Sequence, residues 1–96
     1  MLKRKLKTYP WDPADHLKTD EDIVGYLEAA LEEDDPVLLA AALGDVARAK
    51  GMTDIARKTG LGRESLYKAL SVNGNPEFAT VQKVIRSLGL KLHVTA

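Results

Sequence analysis

Cysteine is missing from the chain altogether. Its absence excludes a disulfide scaffold, a Cys-ligated zinc site and a thiol nucleophile, and it fits a reducing compartment. Aromatic residues are sparse and gather only once, at Tyr9-Pro10-Trp11. No apolar run approaches the roughly 20 residues that a membrane span needs. The basic opening MLKRKLKTYP is not followed by a hydrophobic stretch, so it does not read as a secretory signal, and a cytoplasmic location is expected. No internal repeat or low-complexity segment is visible. With 96 residues there is chain for one domain and one modest core, too little for a large enzyme cleft without oligomerisation.

Net charge is also missing, but only on average. Fourteen Lys and Arg balance fourteen Asp and Glu. Residues 1–47 hold 5 basic and 11 acidic side chains, and residues 48–96 hold 9 basic and 3 acidic ones. Halves of opposite sign suggest two surfaces with two kinds of partner, the alternative being a dipolar molecule with solvated faces.

Tyr9-Pro10 and Asp12-Pro13 favour extended backbone and make residues 1–18 an irregular N-terminal extension. Thr19, with Asp22 three residues on, forms a capping-box pattern that opens a helix. Ile23, Leu27, Ala30 and Leu31 then mark one apolar stripe. Glu32-Glu33-Asp34-Asp35 opposes the negative end of that helix dipole and predicts a stop. Asp35-Pro36 restarts the chain as N-cap and first helical residue. The second helix runs to about Lys50 with Leu39, Leu43, Val46 and Ala47 inward, and Gly51 ends it. A last helix over Phe78–Leu88 would bury Phe78, Val81, Val84, Ile85 and Leu88. Leu90-Lys91-Leu92-His93-Val94 alternates and predicts a short C-terminal β-strand. Such a strand needs a partner, either another chain or the alternating Leu2–Leu6 segment.

Between these elements lies MTDIARKTGLGRESLYKAL, residues 52–70. Met52–Lys58 reads as a two-turn helix with Ile55 and Ala56 inward. Thr59-Gly60-Leu61 is the turn, where Gly60 can take a left-handed conformation. Ala56 is small enough for a second helix to cross closely, and Leu61 fills the angle. That second helix starts near Arg63. Leu66, Ala69 and Leu70 share its inner sector, while Arg63, Glu64, Tyr67 and Lys68 share the outer one. Arg can pair bidentately with guanine, Glu can accept from cytosine, and Lys and Tyr can bond phosphate oxygens. A plain solvated helix face is the competing reading.

Ala56, Gly60 and Leu66 stand at the spacing of the Cro/phage-repressor-type helix-turn-helix. ALGDVARAKGMTDIARKTGLGRESLYKALS and NGNPEFATVQKVIRSLGLKL, with the Tyr-Leu-Glu-Ala-Ala-Leu helix before them, resemble the small HigA-like antidote proteins of addiction modules over about residues 8–94. The resemblance implies an all-α, five-helix Cro/repressor-like DNA-binding domain over 19–96, following the extension 1–18 and ending in the short strand. It implies a dimeric antitoxin that binds double-stranded operator DNA, represses its own operon and neutralises a small RelE/ParE-superfamily toxin. Arg63, Glu64, Ser65, Tyr67 and Lys68 would lie on the recognition helix, and Thr53 near the phosphates. Gly62 replaces the Ser usual in relatives, which weakens the N-cap, and Met52 replaces a frequent Gln.

Asn73-Gly74-Asn75 suits either a phosphate contact, with Asn73 the candidate, or simply a turn. Lys3, Arg4, Lys5 and Lys7 suit a minor-groove arm, or else a tail or an edge strand whose lysines discourage aggregation. Tyr9 and Trp11 suit a toxin-docking anchor or packing on the first helix. Ten acidic side chains in residues 8–35, among them Asp12, Asp15, Asp20 and Glu21, could steer a basic toxin or form a solvated face. His16 and His93 are isolated, so neither a metal site nor a cofactor is expected, and no nucleophile–base pair points to an enzyme. The other readings are a stand-alone phage-type repressor without a toxin, and a protein-interaction module with an idle helix-turn-helix.

Overall fold

The computed structural model describes residues 12–96. Among them are a short 3-10 helix at Pro13–His16 and five α-helices: α1 (Asp20–Glu32), α2 (Pro36–Lys50), α3 (Met52–Thr59), α4 (Arg63–Ala69) and α5 (Phe78–Ser87). Their boundaries follow from capping chemistry. The Thr19 hydroxyl accepts the Asp22 N–H at 3.0 Å, and the Asp22 carboxylate accepts the Thr19 and Lys18 N–H groups, each at 3.1 Å. Those backbone donors hold the Asp22 carboxyl below its ordinary pKa. Asp35 caps α2 through the Val37 N–H at 2.9 Å. Gly51 alone joins α2 to α3, at φ 105°, a conformation that other residues resist.

Helix α2 is the centre. It packs against α1, the 3-10 helix, α3 and α4, while α3 also packs against α4 and α5. Leu43, Val46 and Ala47 of α2 are fully enclosed, and Ile23 and Leu27 from α1, Ile55 from α3, Leu66 from α4 and Val84 and Ile85 from α5 close around them. Gly44 admits the end of α4. A Cβ on Gly44 would stand 2.2 Å from the Leu70 carbonyl oxygen, so only glycine allows the two backbones this close. No polar or charged residue is buried among the described ones.

Several expectations need correction. Pro13–His16 is not extended; the Asp12 carboxylate accepts the Ala14 N–H at 3.0 Å and starts a 3-10 turn, and Leu17 then enters the core. No β-strand occurs among the described residues. The Leu90 N–H bonds back to the Ile85 carbonyl at 3.2 Å, finishing α5, and Lys91–Ala96 runs on exposed without a ladder partner. The other proposed partner, Leu2–Leu6, lies outside the described residues, as do Lys3, Arg4, Lys5 and Lys7. Leu31 and Phe78 were placed on inner faces but are 46% and 66% exposed. Each sits in a terminal turn of its helix.

Candidate functional site

The two short helices expected from residues 52–70 are present, and the chain between them is fixed by local hydrogen bonds. Gly60 adopts φ 75°, ψ 11°, and its N–H bonds the Ala56 carbonyl at 3.0 Å. The Thr59 hydroxyl donates to the Ile55 carbonyl at 2.8 Å and accepts the Leu61 N–H at 3.3 Å. Thr59 thus ties the end of α3 to the turn, a role that residue type and spacing did not reveal. Ile55 and Leu66 are enclosed where the helices meet, Ala56 is buried, and Leu61 packs against the core from the turn.

Arg63, Glu64, Ser65, Tyr67 and Lys68 are all exposed on α4. At about 100° per residue they span roughly 200° of its circumference, the complement of the Leu66 side. The Arg63 guanidinium lies 5.5 Å from the Tyr67 ring centroid, and its Nη2 is 3.4 Å from the Tyr67 hydroxyl. This cation–π contact aligns the two side chains along the helix. Gly62 supplies no side-chain cap to α4. Thr53 is exposed in the first turn of α3. Further along α3, Asp54 pairs with Arg57 and, at 3.2 Å, with Lys58, and Lys58 leads in holding its carboxyl below the ordinary range.

Asn73 is exposed just beyond α4. The neighbouring Gly74 N–H is already bound to the Ser71 carbonyl at 2.9 Å. A Cβ on Gly74 would stand 2.1 Å from the Ala69 carbonyl oxygen. The glycine therefore lets the chain fold back over the end of α4.

Four of the six residues suggested for toxin binding are among the described ones. Tyr9 and Trp11 lie outside the described residues. Asp12 meets the Arg48 guanidinium through both oxygens, at 3.2 and 3.3 Å, and Asp20 meets Lys50 at 3.7 Å. Asp15 and Glu21 are exposed. Arg48 also bonds Asp45 at 2.7 Å, and the other Asp45 oxygen accepts the Tyr26 hydroxyl at 2.5 Å. Burial first, then Asp45, pushes the Tyr26 phenol well above its ordinary pKa. This chain from Tyr26 through Asp45 and Arg48 to Asp12 fastens α1 and the 3-10 helix to α2. Its two links between elements span 19 and 36 residues, so no periodicity could have exposed them. No group of His, Cys, Asp and Glu among the described residues is arranged to hold a metal ion, and no helix among them is long and apolar enough to cross a membrane.

The described residues thus form an all-helical fold with α3 and α4 packed together at the edge of an apolar core. A model of the family described as "probable addiction module antidote protein" matches residues 7–96. The chain belongs to that family. It is also 52% identical over 93 residues to a protein of Haemophilus influenzae (strain ATCC 51907 / DSM 11121 / KW20 / Rd) described as uncharacterized, covering 97% of this chain and 94% of the relative. No solved structure gives a significant match. Membership in a family of antidotes implies a toxin partner of some kind.

Proposed function

We propose that this protein is the non-enzymatic, DNA-binding antitoxin of a type II module. As a cytoplasmic HigA-like dimer it would bind its own operator, repress its operon and neutralise a RelE/ParE-superfamily toxin. The observation that carries the DNA-binding part is the exposed outer face of α4. Arg63 and Tyr67 are aligned there, Lys68 and Glu64 stand beside them, and a left-handed glycine turn braces the helix against α3. An exposed polar face on the second of two such helices supports the Cro/repressor-type reading, in which that helix would lie in the major groove. Thr53 and Asn73, exposed at the two ends of the motif, are suited to phosphate contacts.

The test is fluorescence anisotropy with the DNA upstream of the gene and with scrambled DNA of equal length, followed by footprinting. The expected result is preference for the upstream DNA and protection of two half-sites about one helical turn apart. Equal binding to both DNAs, or none, would remove the repressor role and leave the family's antidote role standing alone.

A further inference from the structure

The corner where α1 turns into α2 carries apolar side chains that stay nearly half exposed. Leu31, in the last turns of α1, is 46% exposed, and Val37 and Leu38, in the first turn of α2, are 47% and 41% exposed. Val24 lies seven residues before Leu31, on the same side of α1, and is 38% exposed. Neighbouring large apolar residues left in water mark an interaction surface rather than the scattered exposure normal for soluble proteins.

The rim of this patch is acidic. Glu28, Glu32, Glu33 and Asp34 are exposed, and none of them makes an ion pair among the described residues. Other acidic residues have structural employment: Asp22 and Asp35 cap helices, and Asp12, Asp20, Asp45 and Asp54 pair with cations. Glu32, Glu33 and Asp34 have none. They crowd the end of α1, where the helix dipole is already negative and where the last turn has no basic residue. Asp34 also holds φ 56°, a conformation that glycine or asparagine would adopt more cheaply. The fold therefore bears a local cost for these carboxylates.

The signs decide what can cover the patch. DNA is repelled. A second copy joined through this corner by a two-fold axis would set Glu32, Glu33 and Asp34 against their own equivalents, and a head-to-tail contact would build a ring or an open filament, whereas an antidote has a toxin as a ready heterologous partner. What fits is a protein surface with an apolar centre and a cationic rim. We infer that the α1–α2 corner, with Leu31, Val37 and Leu38 as anchors and Glu28, Glu32, Glu33 and Asp34 as rim, is where the toxin docks. This rests on the antidote reading, and it places the toxin away from Asp12 and Asp20, which are held by Arg48 and Lys50.

The probe is the purified product of the small reading frame adjacent to the gene, titrated against the full chain by calorimetry at low and moderate salt. Two variants are compared with wild type: L31A/L38A, and E32Q/E33Q/D34N. Both should keep the helical circular dichroism, and the second should melt no lower than wild type, since it relieves the crowded helix end. Each should weaken binding by about tenfold or more, and the charge variant should also flatten the salt dependence. Wild-type affinity and salt dependence in both variants would overturn the placement of the toxin and leave the antidote reading intact. Failure of the wild-type chain to bind the product would overturn both.

Discussion

Two glycines in helices show how differently one missing methyl group can matter. Gly44 lies buried in α2, where an added Cβ would stand 2.2 Å from the Leu70 backbone oxygen, and backbone cannot swing aside as a side chain can. Gly25 lies exposed in α1, with nothing within 4 Å of an added Cβ. Gly44→Ala should therefore destabilise the protein by about 1–3 kcal/mol, the usual cost of overpacking a filled core. Gly25→Ala should stabilise it by about 0.5–1 kcal/mol, because alanine surrenders less backbone entropy in a helix. Urea unfolding of the two variants beside wild type checks both signs. An unchanged midpoint for Gly44→Ala would mean that α4 can draw back from α2 without loss, and that the close approach is incidental.

At the scale of the element, α1 is opened by a capping box whose second half is a carboxylate. Asp22 accepts most strongly when ionised, and its pKa is lowered in the folded chain by the backbone donors of Lys18 and Thr19. Asp54, on α3, is lowered mainly by Lys58. A carboxyl with a lowered folded pKa contributes stability that is present above its unfolded value, about 4, and is lost as pH falls through the lower folded value. The urea midpoint should thus hold level from about pH 7 to 5 and decline below about pH 4. Asp22→Asn should be less stable than wild type at neutral pH and show a shallower acid decline. If the acid decline of Asp22→Asn parallels that of wild type, the capping box does not contribute to it. The same element shows what was legible in the sequence and what was not. Thr19, Asp22, Asp35, Gly51 and Gly60 act through neighbours two to four residues away, so their spacing alone located the helix ends. The apolar stripe of α1 was legible too, but not which of its residues the core would leave half exposed, Leu31 among them. Leu90–Val94 alternates as a strand does, yet pairing is a property of two segments, and the pattern of one says nothing about its neighbour. The link from Tyr26 through Asp45 and Arg48 to Asp12, and the contact of Gly44 with Leu70, exist only because the helices cross. On α4 the outer residues were legible, while the hydroxyl of Thr59 that secures the turn was not.

At the scale of the whole molecule, equal numbers of acidic and basic residues conceal an uneven distribution, and salt should separate its consequences. The core is apolar, and the ion pairs among the described residues are exposed or partly so. Exposed pairs contribute about 0–1 kcal/mol each and are screened by salt. Raising sodium chloride from about 50 to 300 mM should therefore shift the unfolding free energy by no more than about 1 kcal/mol. Binding to operator DNA, if α4 reads it, should respond very differently, because each cation seated on a phosphate releases counterions and steepens the fall of affinity with salt. Arg63 and Lys68 then separate by role. Arg63, aligned by the Tyr67 ring, would contact a base, and Arg63→Ala should then cost about 1–3 kcal/mol with upstream DNA while relaxing the preference at one base position. Lys68, in the last turn of α4, would contact phosphate, and Lys68→Ala should then weaken binding to every sequence and reduce the log–log salt slope by about one unit. Anisotropy titrations at four salt concentrations, with unfolding curves from the same samples, measure both responses. A Lys68→Ala slope equal to wild type would take that residue off the phosphate backbone. Affinity as insensitive to salt as the fold itself would take the basic half of the molecule off DNA altogether.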